Sequence, residues 1–249
     1  MGLDKHGRVA VVTGAAAGIG PEYAVRLAQD GADIAIADIE AADETAERVR
    51  ATGRRVLHRS VDVSDPEAVA GFARDVFAEL GDVDILVNNV GISPYNLFED
   101  ITLEEWRRCM TVNLDSLFLM CKAFLPGMRQ RQWGRIVNVT TSACWMPEVP
   151  RMSHYVTSKM GVVGFTRALA TEVGPQFVTV NCVSPSLVRT PLLEQRLTPE
   201  WFQEMVDTQS IKRVQETADM VGAVSFLTSD DAAFITGQTL AVNGGNVRL

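Results

Sequence analysis

Short apolar runs alternate with longer amphipathic stretches along the whole chain. Arg8–Thr13 (RVAVVT), Asp33–Asp38 (DIAIAD), Arg55–Val63, Asp84–Asn88 (DILVN), Arg135–Thr140 (RIVNVT), Val178–Val183 and Thr239–Val242 predict seven strands. Between and after them, Gly18–Gln29, Ala42–Thr52, Pro66–Leu80, Leu103–Gln130, His154–Glu172 and Ala218–Leu227 carry apolar positions at helical spacing. The strand runs are continuous rather than alternating, which is the pattern of strands covered on both faces. Regular alternation of strand and helix then predicts an α/β fold with a doubly wound parallel sheet and helices on both faces. No linker, repeat or shift in composition divides residues 1–249, so a single domain is expected. The least regular segment is Ser184–Arg213, which carries Trp201, Phe202 and several leucines. It is expected to run as a long excursion over one end of the sheet, where such segments serve as lids or binding loops.

Composition narrows the function classes. Of the 249 residues 47% are apolar and 22% charged, which suffices for a sizeable core. The net charge of −8 argues against nucleic acid as a main partner, since phosphate neutralisation needs a basic face. Cys109, Cys121, Cys144 and Cys182 form no CxxC pair and only His6, His58 and His154 accompany them, so neither a metal site nor a disulfide framework is expected. No uninterrupted apolar run reaches the ~18 residues of a membrane span. The opening MGLDKHGR runs at once into the first predicted strand and leaves no room for a signal peptide. The expected location is a reducing cytoplasm.

The first strand-to-helix junction, Thr13–Gly20, reads TGAAAGIG. Gly14, Gly18 and Gly20 permit a tight turn, and the helix that follows offers free N–H groups and a positive dipole end to a pyrophosphate. Pro21 suits a first helical turn, where its missing N–H costs little. Asp38 ends the second predicted strand, placed to accept hydrogen bonds from ribose hydroxyls and to repel a 2′-phosphate. No basic side chain stands beside it, since Ala15–Ala17 and Ile39 are uncharged, so NAD is expected rather than NADP.

With TGAAAGIG at 13–20, Asp62-Val63, NNVG at 88–91, Asn113, Ser142 and YVTSK at 155–159, the chain resembles the short-chain dehydrogenase/reductase family over essentially its whole length. The resemblance implies a Rossmann sheet of seven strands, a nicotinamide cofactor, a tetrameric assembly and a catalytic set of Asn113, Ser142, Tyr155 and Lys159. It also implies cofactor contacts from Ile19, Asp62 and Val63, from Asn89 and Gly91 near the adenosine ribose, and from Pro185, Val188 and Thr190 along the nicotinamide. Asp62 reads equally well as a turn residue at a helix entry. Two positions depart from the family pattern: Val90 where Ala is usual, and Ser186 after Pro185 where Gly is usual. Val90 adds bulk near the cofactor, and Ser186 tolerates a positive φ less readily.

Tyr155 and Lys159 stand four apart on one predicted helix and so share a face. A free tyrosine, with a pKa of ~10, is a poor base at neutral pH, and a neighbouring ammonium together with the positive nicotinamide ring would favour the phenolate. Tyr155 is thus expected to exchange the alcohol proton, Lys159 to hold the ribose and tune Tyr155, and Ser142 to hydrogen-bond the reacting oxygen. Asn113 is expected to fix a water that links Lys159 to solvent. His154, rotated ~100° from Tyr155, is expected to be a packing or surface residue.

Ligands in such sheets sit outside the carboxyl ends of the strands. That places Ser93, Pro94, Tyr95, Ala143, Cys144, Trp145, Met152, Leu187, Leu192, Leu193, Trp201, Phe202 and Met205 as candidate substrate contacts. Most are apolar, which fits a hydrophobic alcohol or ketone. SLVRTPLL at 186–193, WGR at 133–135 and SDDAAFITGQTLAVNGG at 229–245 are similar to secondary alcohol dehydrogenases of the (S)-1-phenylethanol type, which implies an aryl or medium-size substrate. Two alternatives stand beside it: a 3-oxoacyl thioester reductase, and a catalytically silent NAD-binding regulator. Long apolar stripes in Leu103–Gln130 and His154–Glu172, including Val112, Leu114, Phe118 and Met120, exceed what one sheet face needs and predict a helix–helix subunit contact, with GGNVRL at a second one.

Overall fold

Runs of Val, Ile, Leu and Ala become strands because branched and small side chains suit a pleat covered on both faces. The computed structural model describes residues 3–248, so Met1 and Gly2 of the opening segment and Leu249 of GGNVRL lie outside the described residues. It shows β1 (Val9–Thr13), β2 (Asp33–Asp38), β3 (Val56–Ser60), β4 (Ile85–Asn88), β5 (Gly134–Val139), β6 (Val178–Pro185) and β7 (Thr239–Val242). All pairings are parallel, in the order β3-β2-β1-β4-β5-β6-β7. Val11 lies opposite Ala35 on one side and Leu86 on the other, which fixes the register at the centre. The order reverses between β1 and β4, the switch point at which a ligand cleft opens.

Side chains of β1 alternate between two cores. Val9 and Val11 face a layer that holds Phe72, Val76, Met120, Phe124 and Ile136, whereas Ala10 and Val12 face Tyr23, Leu27, Ile34, Met220 and Val224. The first layer is covered by α3 (Pro66–Glu79), α4 (Leu103–Arg131) and α5 (Ser153–Val173), the second by α1 (Gly20–Gln29), α2 (Asp43–Arg50) and the late helix Ala218–Leu227. Helix α4 corrects one expectation. An 18-residue window of it reaches a mean hydropathy of 1.2, enough by length and composition to cross a membrane. Charged residues interrupt every apolar run, so only the average shows it. Met120, Phe124 and Met128 of this helix are buried against the sheet, the placement of a core helix.

The excursion 184–213 is more regular than expected. Strand β6 continues to Pro185, Val188–Arg189 pairs with Gln215–Glu216, and α6 (Pro191–Arg196) and α7 (Pro199–Thr208) follow. Each helix starts on a Thr-Pro pair, a capping residue followed by the residue best suited to the first turn. Phe202 and Val206 of α7 are buried, which seats this segment on the body of the domain.

Candidate active site

The turn from β1 into α1 is built around close backbone approach. A Cβ at Gly20 would lie 1.9 Å from the Gly14 carbonyl oxygen, so only glycine fits there. Ile19 caps α1 without a side-chain hydrogen bond, which leaves first-turn N–H groups facing the end of the sheet, the donor set an anionic phosphate needs. Asp38, at the carboxyl end of β2, braces the same turn: its Oδ2 accepts the Ala16 N–H at 2.8 Å and its Oδ1 the Glu40 N–H at 3.1 Å. Each oxygen keeps a lone pair for a ribose hydroxyl.

The Asn89 amide donates to the carbonyls of Thr13 at 3.1 Å and Gly14 at 2.9 Å, so the side chain clamps β4 to the turn. The turn reading of Asp62 holds for one oxygen: Oδ1 accepts from the Ser64 N–H at 2.9 Å and from its hydroxyl at 2.6 Å, while Val63 is buried behind it. Val90 is absorbed by packing, half-buried against the α3–α4 layer. Ser186 needs no positive φ, and its N–H donates to Gln215 at 3.0 Å, so neither departure distorts the site.

Tyr155 is the third residue of α5, and Lys159 follows one turn later, buried. The Lys159 ammonium donates to the Val139 carbonyl at 3.0 Å. A Cβ at Gly91 would fall 2.9 Å from that nitrogen, so the glycine clears the room Lys159 occupies. Ser142 is buried at the start of the short turn that follows β5, on the same side of the sheet as α5. The Tyr155 phenol hydrogen-bonds the neighbouring Thr141 hydroxyl. A buried polar chain seats this helix: Asn88 donates to Asn138 at 2.8 Å, Asn138 to Thr166 at 2.8 Å, and Thr140 to the Lys159 carbonyl at 3.0 Å.

Burial governs the proton affinities. It pushes the Tyr155 phenol up to about 12, against the lowering effect of the Thr141 hydrogen bond. It brings the Lys159 ammonium down to about 8. The shift on the Tyr155 phenol itself runs upward, because desolvation of the phenolate dominates, while the Lys159 ammonium donates to Val139.

Asn113 sits in a π-helical segment, Thr111–Asp115, in the middle of α4. Its Oδ1 accepts the Ile92 N–H at 2.7 Å, and its amide donates to the Ile92 carbonyl and the Ser158 hydroxyl, both at 2.9 Å. The amide is therefore a clamp that joins the loop after β4 to α4 and α5. A small cavity of about 10 Å³ lies beside it, lined by Thr13, Asn88, Asn113, Ser116 and Lys159 among others, room for about one water. The Asn88 Oδ1 that borders it has no hydrogen-bond partner.

Pro185 closes β6, and Val188 and Thr190 are buried just beyond. The Thr190 Oγ1 accepts the Leu193 N–H at 3.3 Å as the cap of α6, which leaves its O–H free to donate to a carboxamide. Of the candidate substrate contacts, Ser93, Tyr95, Leu192 and Trp201 are exposed, and Leu187 and Leu193 half-buried. The Cys144 thiol faces the Thr140 hydroxyl and the Val156 carbonyl, and Trp145 packs on the Leu117–Val162 cluster. His154 is fully buried, its Nε2 3.8 Å from Glu105, as a packing residue. Among the described residues no group of three His, Cys, Asp or Glu side chains converges as a metal site. Thr141, Ser158 and Ile92, all structurally engaged with the quartet, carry no signal in the sequence beyond their closeness to motif positions.

Comparison with known proteins agrees with this geometry. A family model described as enoyl-(acyl carrier protein) reductase matches residues 14–246. The chain is 38% identical over 253 aligned residues to a subunit of a hydroxy(phenyl)methylsuccinyl-CoA dehydrogenase from Thauera aromatica, covering 98% of each. It is 37% identical to a 3-oxoacyl-acyl-carrier-protein reductase of Pseudomonas aeruginosa, again over 98% of both chains. Among solved structures, carveol dehydrogenase from Mycobacterium avium in complex with NAD superimposes with a TM-score of 0.89 at 31% identity, covering 97% of this chain and 98% of that one.

Proposed function

The chain belongs to the short-chain dehydrogenase/reductase family, an oxidoreductase acting between CH–OH and C=O, and on that premise we propose that it interconverts a hydrophobic secondary alcohol and its ketone with NAD. The observation that carries the reading is that the short turn opened by Ser142 packs against α5, which presents Tyr155 and the buried Lys159 one turn apart. Asp38 stands at the far end of the phosphate turn.

The residues present suit a dinucleotide. The turn 14–20 with the first N–H groups of α1 would hold the pyrophosphate, Asp38 the adenosine ribose, and Thr190 the carboxamide. When bound, the cofactor supplies or takes the hydride. Ser142 donates a hydrogen bond to the reacting oxygen and so positions it. Tyr155 gives its proton to a ketone oxygen or takes one from an alcohol. The Lys159 ammonium stabilises the phenolate left after donation, and the Asn113 clamp fixes the loop after β4 against α4 and α5. The hydroxy(phenyl)methyl group in the name of the Thauera relative is a benzylic secondary alcohol, which supports an aryl substrate for this chain too.

The competing 3-oxoacyl thioester reductase reading is favoured by the Pseudomonas relative, and the cofactor discriminates. Initial rates over a panel of aryl and alkyl ketones should favour NADH over NADPH by at least about tenfold, a 1.4 kcal/mol difference. Asp38→Ala should erase most of that preference by removing the charge opposed to a 2′-phosphate. Wild-type preference for NADPH would sink the NAD assignment. Turnover of no ketone, together with tight NADH binding, would support a silent regulator.

The outer faces of α4 and α5 support a homo-oligomer. A groove of about 510 Å³ between them is lined by Phe118, Leu125, Phe165 and Leu169, and Phe118 is 49% exposed. A second copy of the same helix pair is the self-complementary occupant, and a tetramer extends it. Light scattering should give four times the chain mass, and Phe118→Glu should lower it. A monomeric wild type would refute the assembly.

A further inference from the structure

Arg151 adopts a left-handed backbone conformation, with φ of 64°, although it carries a side chain. Such conformations are strained for residues other than glycine and persist only where surrounding contacts hold them. The contact here is specific: the Arg151 carbonyl accepts the Asn96 N–H at 3.0 Å. This joins the turn that launches α5 to the loop that follows β4, the loop whose other end Asn113 holds at Ile92. The Arg151 guanidinium carbon lies 5.7 Å from the centroid of the Tyr95 ring, within the range of a cation–π contact. Tyr95 itself is 47% exposed, and Arg151 is exposed too.

Of the cations in the lid segment, Arg189 and Arg213 have carboxylate partners, and Arg196 and Lys212 have none among the described residues. Arg189 pairs with Glu194 at 3.6 Å and Glu216 at 3.1 Å, and Arg213 with Asp219 at 2.6 Å. Among the described residues Arg151 has no carboxylate partner. It stands four residues before Tyr155, in the turn that precedes α5, so at most about 14 Å of chain separates the two backbones. An exposed guanidinium without a carboxylate partner keeps N–H donors free, and its planar fork can take a carboxylate in two parallel hydrogen bonds.

We propose that Arg151, on its Tyr95 platform, is a specificity residue that takes the carboxylate end of an otherwise apolar hydroxy acid or keto acid. The apolar body of the substrate lies toward Leu192 and Trp201, and its carbonyl at Ser142 and Tyr155. This rests on the secondary alcohol dehydrogenase reading above and adds a charge requirement to it.

The test compares an aryl keto acid, its methyl ester and the parent neutral ketone in the wild type, Arg151→Met and Arg151→Lys. The wild type should prefer the acid over the ester by about tenfold in kcat/KM, carried by KM, with the preference weakening as salt is raised. Arg151→Met should lose that preference and leave ester and neutral-ketone kinetics within about twofold, and Arg151→Lys should restore part of it. Equal losses on acid and ester would show a purely structural residue and overturn the proposal, as would a wild type indifferent to the charge. Turnover of the neutral ketone alone, without acid preference, keeps the dehydrogenase reading and defeats only this one. No turnover of any of the three defeats both.

Discussion

Replacing Tyr155 with Phe is expected to lower kcat for ketone reduction and alcohol oxidation by about 10²–10⁴-fold, the usual contribution of a positioned acid or base. The change removes one hydroxyl and no packing, so the fold and NADH affinity should stay within a few-fold of wild type. The pH dependence follows from the same two groups. Burial holds the phenol protonated up to about 12 and lets Lys159 lose its proton near 8. Reduction needs the phenol as donor and the ammonium to stabilise the phenolate left behind. Its kcat/KM should be level below about pH 8 and decline above, as Lys159 neutralises. Oxidation needs the phenolate, so its rate should climb with pH over the same span. Near-normal kcat in Tyr155→Phe, or reduction that climbs with pH, would remove Tyr155 from the acid–base role.

Most of the strands are legible because they are dry runs, apolar on both faces, whereas the half-buried β3 and β7 are carried by their place in the strand–helix alternation. Position on the sheet then places TGAAAGIG, Ser142 and the Tyr155–Lys159 face together at one end. The direction of the amides is not legible. Asn89 and Asn113 take partners 75 and 21 residues away, Gly14 and Ile92, which only the approach of distant loops creates. The π segment around Asn113 has the same origin. Apolar spacing over Leu103–Gln130 reads as one plain helix, and the wider turn exists because Ile92 and Ser158 draw the amide inward. Burial raises the Tyr155 phenol for a related reason, since the depth of a side chain in the fold is absent from a four-residue spacing. The two lid helices are a different case: Thr190-Pro191 and Thr198-Pro199 carry the start signals in plain sight.

Gly20→Ala should be the most damaging single-methyl change in the cofactor cleft. The added Cβ would meet the Gly14 carbonyl oxygen at 1.9 Å, the Gly14 carbonyl carbon at 2.7 Å and the Ala15 Cα at 2.8 Å. All three are backbone atoms, so no side chain can swing aside, and the turn must retreat from the first turn of α1. That turn is braced by Asp38 at Ala16 and by Asn89 at Gly14, so the movement also strains those bonds. Overpacking of this kind costs about 1–3 kcal/mol. In a domain of this size that corresponds to a Tm loss of about 2–4 °C per kcal/mol. NADH should bind about 10–100-fold more weakly, because the phosphate-facing N–H groups no longer converge. Gly222→Ala is the contrast. Gly222 lies inside the helix Ala218–Leu227 with nothing within 4 Å of a Cβ, so the same methyl should stabilise by about 0.5–1 kcal/mol. Opposite signs for one methyl at two helical glycines separate close approach from helix propensity. An unchanged NADH affinity in Gly20→Ala would mean the turn has slack that its contacts do not show, and the phosphate site would have to be sought elsewhere along the sheet edge.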